Sequence, residues 1–308
     1  MKFSNHPSRL RNGSTAAAIV WLLAGVVASV VSTATLAGEP GRPEEKPNRA
    51  EAGSTPAEPA PEPVSFPCGE LTLGGFIYKP TGDGPFPAVI MNHGSEKNPT
   101  FFKPLAAFYT SHGFVFFTPH RHGHGRSPGD YIVDLEQKAR AEAKVPEEAQ
   151  KKSVELHEFY NQDVVAAVEW LKRQPFVKTN EIVMTGASYG GIQTMLSAEK
   201  GLGMRAFVPF CPAAMSWSGN PLLRERLLQA VKNAKAPMFL LQATNDYNLG
   251  PSIVLGKELQ RRGKPDRAKI YPAFGDPNNP MDGHGGFAVR GSEVWGADVL
   301  GFLNEVLK

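Results

Sequence analysis

Ser188 stands in the stretch Gly186-Ala187-Ser188-Tyr189-Gly190-Gly191, between an apolar run that ends at Ala187 and another that begins at Ile192. A serine among glycines at such a break has two readings. One is an ordinary tight turn between a strand and a helix. The other is a nucleophile: a strained turn lifts the hydroxyl to the top of a sheet, and the glycines keep side chains out of the space where strand and helix meet. G-x-S-x-G by itself is common, and it is the strand–turn–helix setting that favours the nucleophile.

A serine hydroxyl attacks poorly unless a base takes its proton and a third group orients that base. The chain order serine, acid, histidine nominates His284, in "MDGHGGF", after the last apolar strand and before the last helix. A solvated loop histidine is the plainer reading, but the other histidines precede Ser188 and break this order. The acid expected to hold the imidazole is Asp246, 58 residues after Ser188 and 38 before His284, just beyond the apolar segment "APMFLLQAT". Asp276 and Asp282 are nearer to His284 in sequence, yet sit in a Pro/Asn-rich stretch where aspartates usually shape turns.

An acyl-transfer site also needs two backbone donors for the oxyanion. Tyr189, directly after the serine, supplies one. Ser95 supplies the other, in "MNHGSEKN", where Gly94 allows close approach and His93 shapes the loop rather than acting as a base. Trp217, in "AAMSWSGN", is either a wall of an acyl or leaving-group pocket or plain packing. His120, His122 and His124 alternate in "HRHGHGRS", which suggests a metal. The glycines and Pro119 make the segment a turn, and no cysteine or carboxylate stands at ligand spacing, so no metal site is expected.

The elements that must carry these residues alternate. "FPAVIMN", "FVFFTP", "EIVMTGA", "RAFVPFC", "APMFLLQAT" and "RAKIYPAF" read as buried strands, and "LTLGGFIYKP" as a strand or hairpin. Helices are expected before Gly113, over Asn161–Gln174, after Ser188, and over Pro221–Ala234, Ser252–Arg262 and Ser292–Leu307. Buried strands alternating with helices imply one α/β domain: a mostly parallel central sheet with helices on both faces. Tyr131–Tyr160 breaks the rhythm. Twelve of its thirty residues are charged, and it reads as a solvated helical insertion interrupted at Pro146, near the mouth of the site.

The N-terminus is set apart. Lys2, Arg9 and Arg11 precede the uncharged run Ala16–Val31 and the small residues of "STATLAGEP". That is the pattern of a secretory signal peptide over residues 1–37, implying a secreted or periplasmic protein. A retained membrane anchor is the alternative, although the run of 16 residues falls short of the ~20 a spanning helix needs. Cleavage after Ala37 takes the net charge from +3 to zero, so the basic balance gives no ground for a nucleic-acid partner. Residues 38–66 are rich in proline and poor in large apolar side chains, and read as a disordered linker before a domain at 67–308. The two cysteines, Cys68 and Cys211, are read as separate thiols, with pairing in an oxidising compartment as the alternative.

"NHGS", "HGHGRSPG", "GASYGG", "LLQATND" and "GHGGF" together resemble the dienelactone hydrolase family of α/β-hydrolases, over about Pro67 to Lys308. More distantly they are similar to the catalytic domains of prolyl-oligopeptidase-type serine peptidases. The resemblance implies the α/β-hydrolase fold, a Ser188–Asp246–His284 triad and no cofactor. Dienelactone hydrolases proper carry a cysteine nucleophile where this chain has Ser188, which favours carboxylic esters as the small-molecule substrates. A peptidase or acyl-aminoacyl hydrolase, and a catalytically silent binding protein on the same fold, are the alternatives. Oligomeric state is not legible.

Overall fold

The computed structural model describes residues 60–99 and 102–308, so the expected signal peptide and most of the linker lie outside the described residues. Eight strands form one sheet: β1 (Glu62–Cys68), β2 (Leu71–Tyr78), β3 (Phe86–Asn92), β4 (Val115–Pro119), β5 (Val177–Ala187), β6 (Ala206–Phe210), β7 (Phe239–Ala243) and β8 (Arg267–Tyr271). Their order is β1-β2-β4-β3-β5-β6-β7-β8. β1 pairs antiparallel with β2, β2 antiparallel with β4, and every later pairing is parallel. This is the expected α/β-hydrolase architecture. β4, β6 and β7 are buried at every residue, as continuous apolar runs must be when helices cover both faces.

The helices are α1 (Lys103–Ser111), α2 (Ile132–Glu142), α3 (Pro146–Lys172), α4 (Tyr189–Ala198), α5 (Pro221–Asn233), α6 (Gly250–Arg262), α7 (Phe287–Arg290) and α8 (Ser292–Val306). On one face α3, α4, α5 and α6 pack through Val164, Ile192, Leu227 and Leu255. On the other, α1, α7 and α8 pack through Tyr109, Phe287, Trp295 and Phe302. α1, α3, α5 and α6 each carry a proline in their first turn, where the missing N–H costs nothing and the fixed φ favours the helix. Among the described residues no helix is long and apolar enough to cross a membrane.

Three boundaries differ from the sequence reading. The domain begins at Glu62, inside the stretch read as linker: Phe66 is buried, and Pro63 and Pro67 are tolerated because β1 is an edge strand. The charged segment is helical and largely solvent-facing, as expected, but it is continuous with the helix that follows. It comprises α2 and the first half of the 27-residue α3, which runs on through the helix expected at Asn161. Pro146 marks the expected interruption, opening α3 after the break that ends α2. Lastly, "DGHGG" is not an irregular loop but a π-helical turn, Asp282–Gly286.

Candidate active site

Ser188 joins β5 to α4 with φ 57° and ψ −117°, a conformation that costs a non-glycine residue about 1–3 kcal/mol. Two backbone bonds hold it there: Ser188 N donates to Phe210 O at 3.1 Å, and Ile192 N donates to Ser188 O at 3.1 Å. The glycine after Tyr189 is dictated by space. A Cβ on Gly190 would lie 1.9 Å from the Asn92 carbonyl oxygen and 2.5 Å from that of His93. The turn is therefore pressed against the loop that follows β3. Ser188 itself stays partly exposed while its neighbours are buried.

Asp246 and His284 come together although 38 residues separate them. His284 Nδ1 lies 2.8 Å from Asp246 Oδ1, and both side chains are buried. Asp246 is fixed from three sides, since its carboxylate also accepts from Tyr247 N and from Gln242 Nε2, each at 2.6 Å. Its neighbour Asn245 braces the histidine-bearing loop, accepting from Phe274 N and donating to Phe274 O, both at 3.0 Å. Gly283 must be small, because a Cβ there would lie 2.4 Å from Asn245 Oδ1. The sequence alternatives resolve as turn residues: Asp282 binds Arg290 at 2.7 Å and Asp276 accepts from Asn278 N at 2.9 Å.

His284 Nε2 is buried with no hydrogen-bond partner among the described residues. Burial opposes the imidazolium, but the Cys211 sulfur and the Asp246 carboxylate outweigh it and carry the histidine up to about 10. A reaction that uses this imidazole as a base should therefore accelerate on the alkaline side. Ser188, Asp246 and His284 follow the carboxyl ends of β5, β7 and β8, which are parallel, so all three belong to one edge of the sheet.

Tyr189 is the first residue of α4, so its amide has no acceptor within the helix. The loop from His93 to Ser95 is fastened by a residue the sequence reading passed over. Arg121, buried to 1 % exposure, donates through Nη2 to the carbonyl oxygens of His93 at 2.8 Å and Gly94 at 2.7 Å. A trans peptide sets C=O and N–H on opposite sides, so holding the Gly94 carbonyl aims the Ser95 amide the other way. The guanidinium also lies 4.3 Å from the centroid of the Tyr189 ring. Arg121 thus touches Tyr189 and the Gly94 carbonyl of the peptide that carries the Ser95 amide. His93 completes the loop: Nδ1 donates to Gly94 O at 2.9 Å and Nε2 accepts from Arg121 N at 3.3 Å. Burial and then the Arg121 charge hold it well below the usual histidine range, in keeping with a shaping role.

The dienelactone hydrolase family model matches residues 73–304. The chain belongs to that family. A polyketide transferase, GrgF, from a Penicillium species is 26% identical over 212 residues, 65% of this chain and 64% of that protein. The structure of GrgF from Penicillium sp. sh18 aligns with TM-score 0.58 at 15% identity, covering 80% of this chain and 99% of the other. An esterase of Pyrococcus furiosus aligns at TM-score 0.58 and 18% identity, covering 85% and 97%. The acylaminoacyl peptidase of Pyrococcus horikoshii aligns at TM-score 0.58 and 19% identity, covering 78% and 41%. In sequence the chain matches less than two thirds of the length of the transferase, and in structure less than two thirds of that of the peptidase. At these identities the structural likeness is one of fold.

Trp217 of this dienelactone hydrolase family member is packed into the core at 5 % exposure, against the first turn of α6. Its neighbours Met215 and Ser216 instead line a cavity of about 490 Å³ between the α2–α3 junction and the β6–α5 loop. Glu136, Arg140 and Val145 line the other side; Ser188, Asp246 and His284 are not part of the wall. The three alternating histidines diverge. His120 Nδ1 accepts from Arg126 N at 3.0 Å, His122 Nδ1 pairs with Asp163 Oδ1 at 2.6 Å, and His124 Nδ1 donates to His122 O at 2.6 Å. Cys68 and Cys211 are both free, and Cys68 Sγ donates to Asp163 Oδ1 at 3.5 Å.

Proposed function

We propose that the protein is a serine hydrolase that cleaves carboxylic esters of small or medium acyl groups, lactones included, through an acyl-enzyme on Ser188. One observation carries this reading: a buried imidazole with one nitrogen bound to a buried carboxylate and the other without a partner among the described residues, on the sheet edge where a strained serine emerges.

In the proposed reaction His284 Nε2 takes the Ser188 proton as Oγ attacks the ester carbonyl carbon. The N–H groups of Tyr189 and Ser95 donate to the oxyanion that forms. Asp246 holds the ring and stabilises its charged form. The tetrahedral intermediate collapses, the alcohol leaves with the proton from His284, and the acyl group remains on Oγ. Water then gives its proton to His284 and attacks the acyl carbon; the acid departs and Ser188 regains its proton. No metal or cofactor enters these steps. The basic-then-apolar N-terminus supports a secreted or periplasmic setting.

Hydrolysis of p-nitrophenyl esters of increasing acyl length, with Ser188→Ala alongside, tests the proposal. We expect turnover that rises from neutral to alkaline pH and falls at least about 10³-fold in the variant. Equal rates in the two proteins, or turnover of peptide amides with none of esters, would overturn it.

A further inference from the structure

Cys211 has no part in that reaction, yet it stands beside the acid and the base. It directly follows β6, fully buried, with φ 42°, a backbone conformation that L side chains rarely adopt. Its amide donates to Leu241 O at 3.0 Å and its thiol to the His284 carbonyl oxygen at 3.7 Å. These contacts turn the sulfur toward the histidine-bearing turn. Cys211 Sγ, an Asp246 oxygen and a His284 nitrogen all lie within 4.8 Å of one another, and all three residues are buried. A buried thiol commonly acts as a small apolar packing group. This one instead stands against a carboxylate and an imidazole whose Nε2 has no hydrogen-bond partner among the described residues.

We propose that Cys211, Asp246 and His284 form a binding site for a soft divalent cation of the zinc and cadmium type, and that its occupation switches off hydrolysis. The donor set is one thiolate, one imidazole and one carboxylate, each of which zinc takes in tetrahedral sites with bonds of about 2.0–2.3 Å. Tetrahedral geometry with such bonds sets donors about 3.3–3.8 Å apart, so no pair has to close by more than about 1.5 Å. A calcium- or magnesium-like ion is a poor fit, since it requires more oxygen donors than these three side chains offer. On binding, the sulfur–metal and nitrogen–metal bonds form as the thiol and imidazolium protons leave to solvent, so affinity rises with pH. The metal ties up His284 and Asp246, and Ser188 loses its base. This inhibitory consequence rests on the proposed serine mechanism; the binding itself does not.

The two are separated by titrating the purified protein with cadmium and reading both the ultraviolet thiolate-to-cadmium absorption band and ester turnover. Wild type and Cys68→Ser should show a band at one equivalent and parallel inhibition that chelator reverses. Cys211→Ser, which keeps the side-chain volume, and Cys211→Ala should lose the band and need at least about 10-fold more cadmium for inhibition. A band that persists in both Cys211 variants, or disappears in Cys68→Ser, overturns the site. A Cys211-dependent band that leaves turnover unchanged overturns the switch. If the Cys211-dependent band forms in a protein that hydrolyses no ester, the metal site stands and the esterase reading fails.

Discussion

Removing Arg121 should cost turnover far more than stability. Its Nη2 makes two charge-assisted bonds, to the His93 and Gly94 carbonyls at 2.8 and 2.7 Å, each worth about 1.5–3 kcal/mol. Against them, Nε and Nη1 are buried with no hydrogen-bond partner among the described residues, and each such group costs about 1–3 kcal/mol. The two sides nearly cancel. Arg121→Met, which keeps much of the volume, should therefore move the Tm by only a few degrees, at about 2–4 °C per kcal/mol for a chain of this size. The effect on chemistry has a different scale. Losing one oxyanion donor costs about 10²–10³ in kcat, and freeing the Gly94–Ser95 peptide misaims one donor of two. The expected loss is about 10- to 1,000-fold in kcat with KM little changed, because the hole is used chiefly in the transition state. Steady-state kinetics on a p-nitrophenyl ester, run beside thermal unfolding for Arg121→Met and Arg121→Lys, measure both. A folded Arg121→Met with wild-type kcat would refute the reasoning, as would a raised KM at unchanged kcat.

Two further substitutions probe the scaffold. Gly190→Ala sets a methyl group 1.9 Å from the Asn92 carbonyl oxygen, backbone against backbone, so we expect a loss of soluble protein or a Tm lower by 10 °C or so, read by unfolding in the purified variant. His122 pairs with Asp163 at 2.6 Å, and that hydrogen bond raises the histidine above its usual range despite burial. A raised folded value means that the pair stabilises fully below about pH 6.5 and loses this contribution as the pH rises through the folded value. His122→Gln should thus lower Tm clearly at pH 5.5 and much less at pH 9; an equal loss at both would show that the imidazolium contributes nothing.

The strand–helix alternation was legible because buried parallel strands are continuous apolar runs. "FPAVIMN" became β3 residue for residue. Glu62 was lost to composition, since prolines that exclude a central strand are compatible with an edge strand, and edge position is a property of the sheet rather than of the segment. The π-helical turn at His284 was hidden for a related reason. Three glycines in five residues read as an irregular loop, and only Asn245 and Phe274, brought close by β7 and β8, give those glycines a fixed path.

Ser188, Asp246 and His284 could be nominated from chain order, because each follows a strand and the order of strand ends is written along the sequence. Arg121 and Cys211 could not. Arg121 acts through carbonyl oxygens 27 and 28 residues earlier, which leave no mark on residue type, and its own segment drew attention to its histidines instead. Cys211 meets His284 across 73 residues through a single left-handed backbone step after β6. Both residues depend on how neighbouring strand ends abut across the sheet, β3 with β4 for the arginine and β6 with β7 for the cysteine. That is why the atoms expected to carry out the reaction were readable from sequence, while the atoms that aim or could block them became visible only in the folded chain.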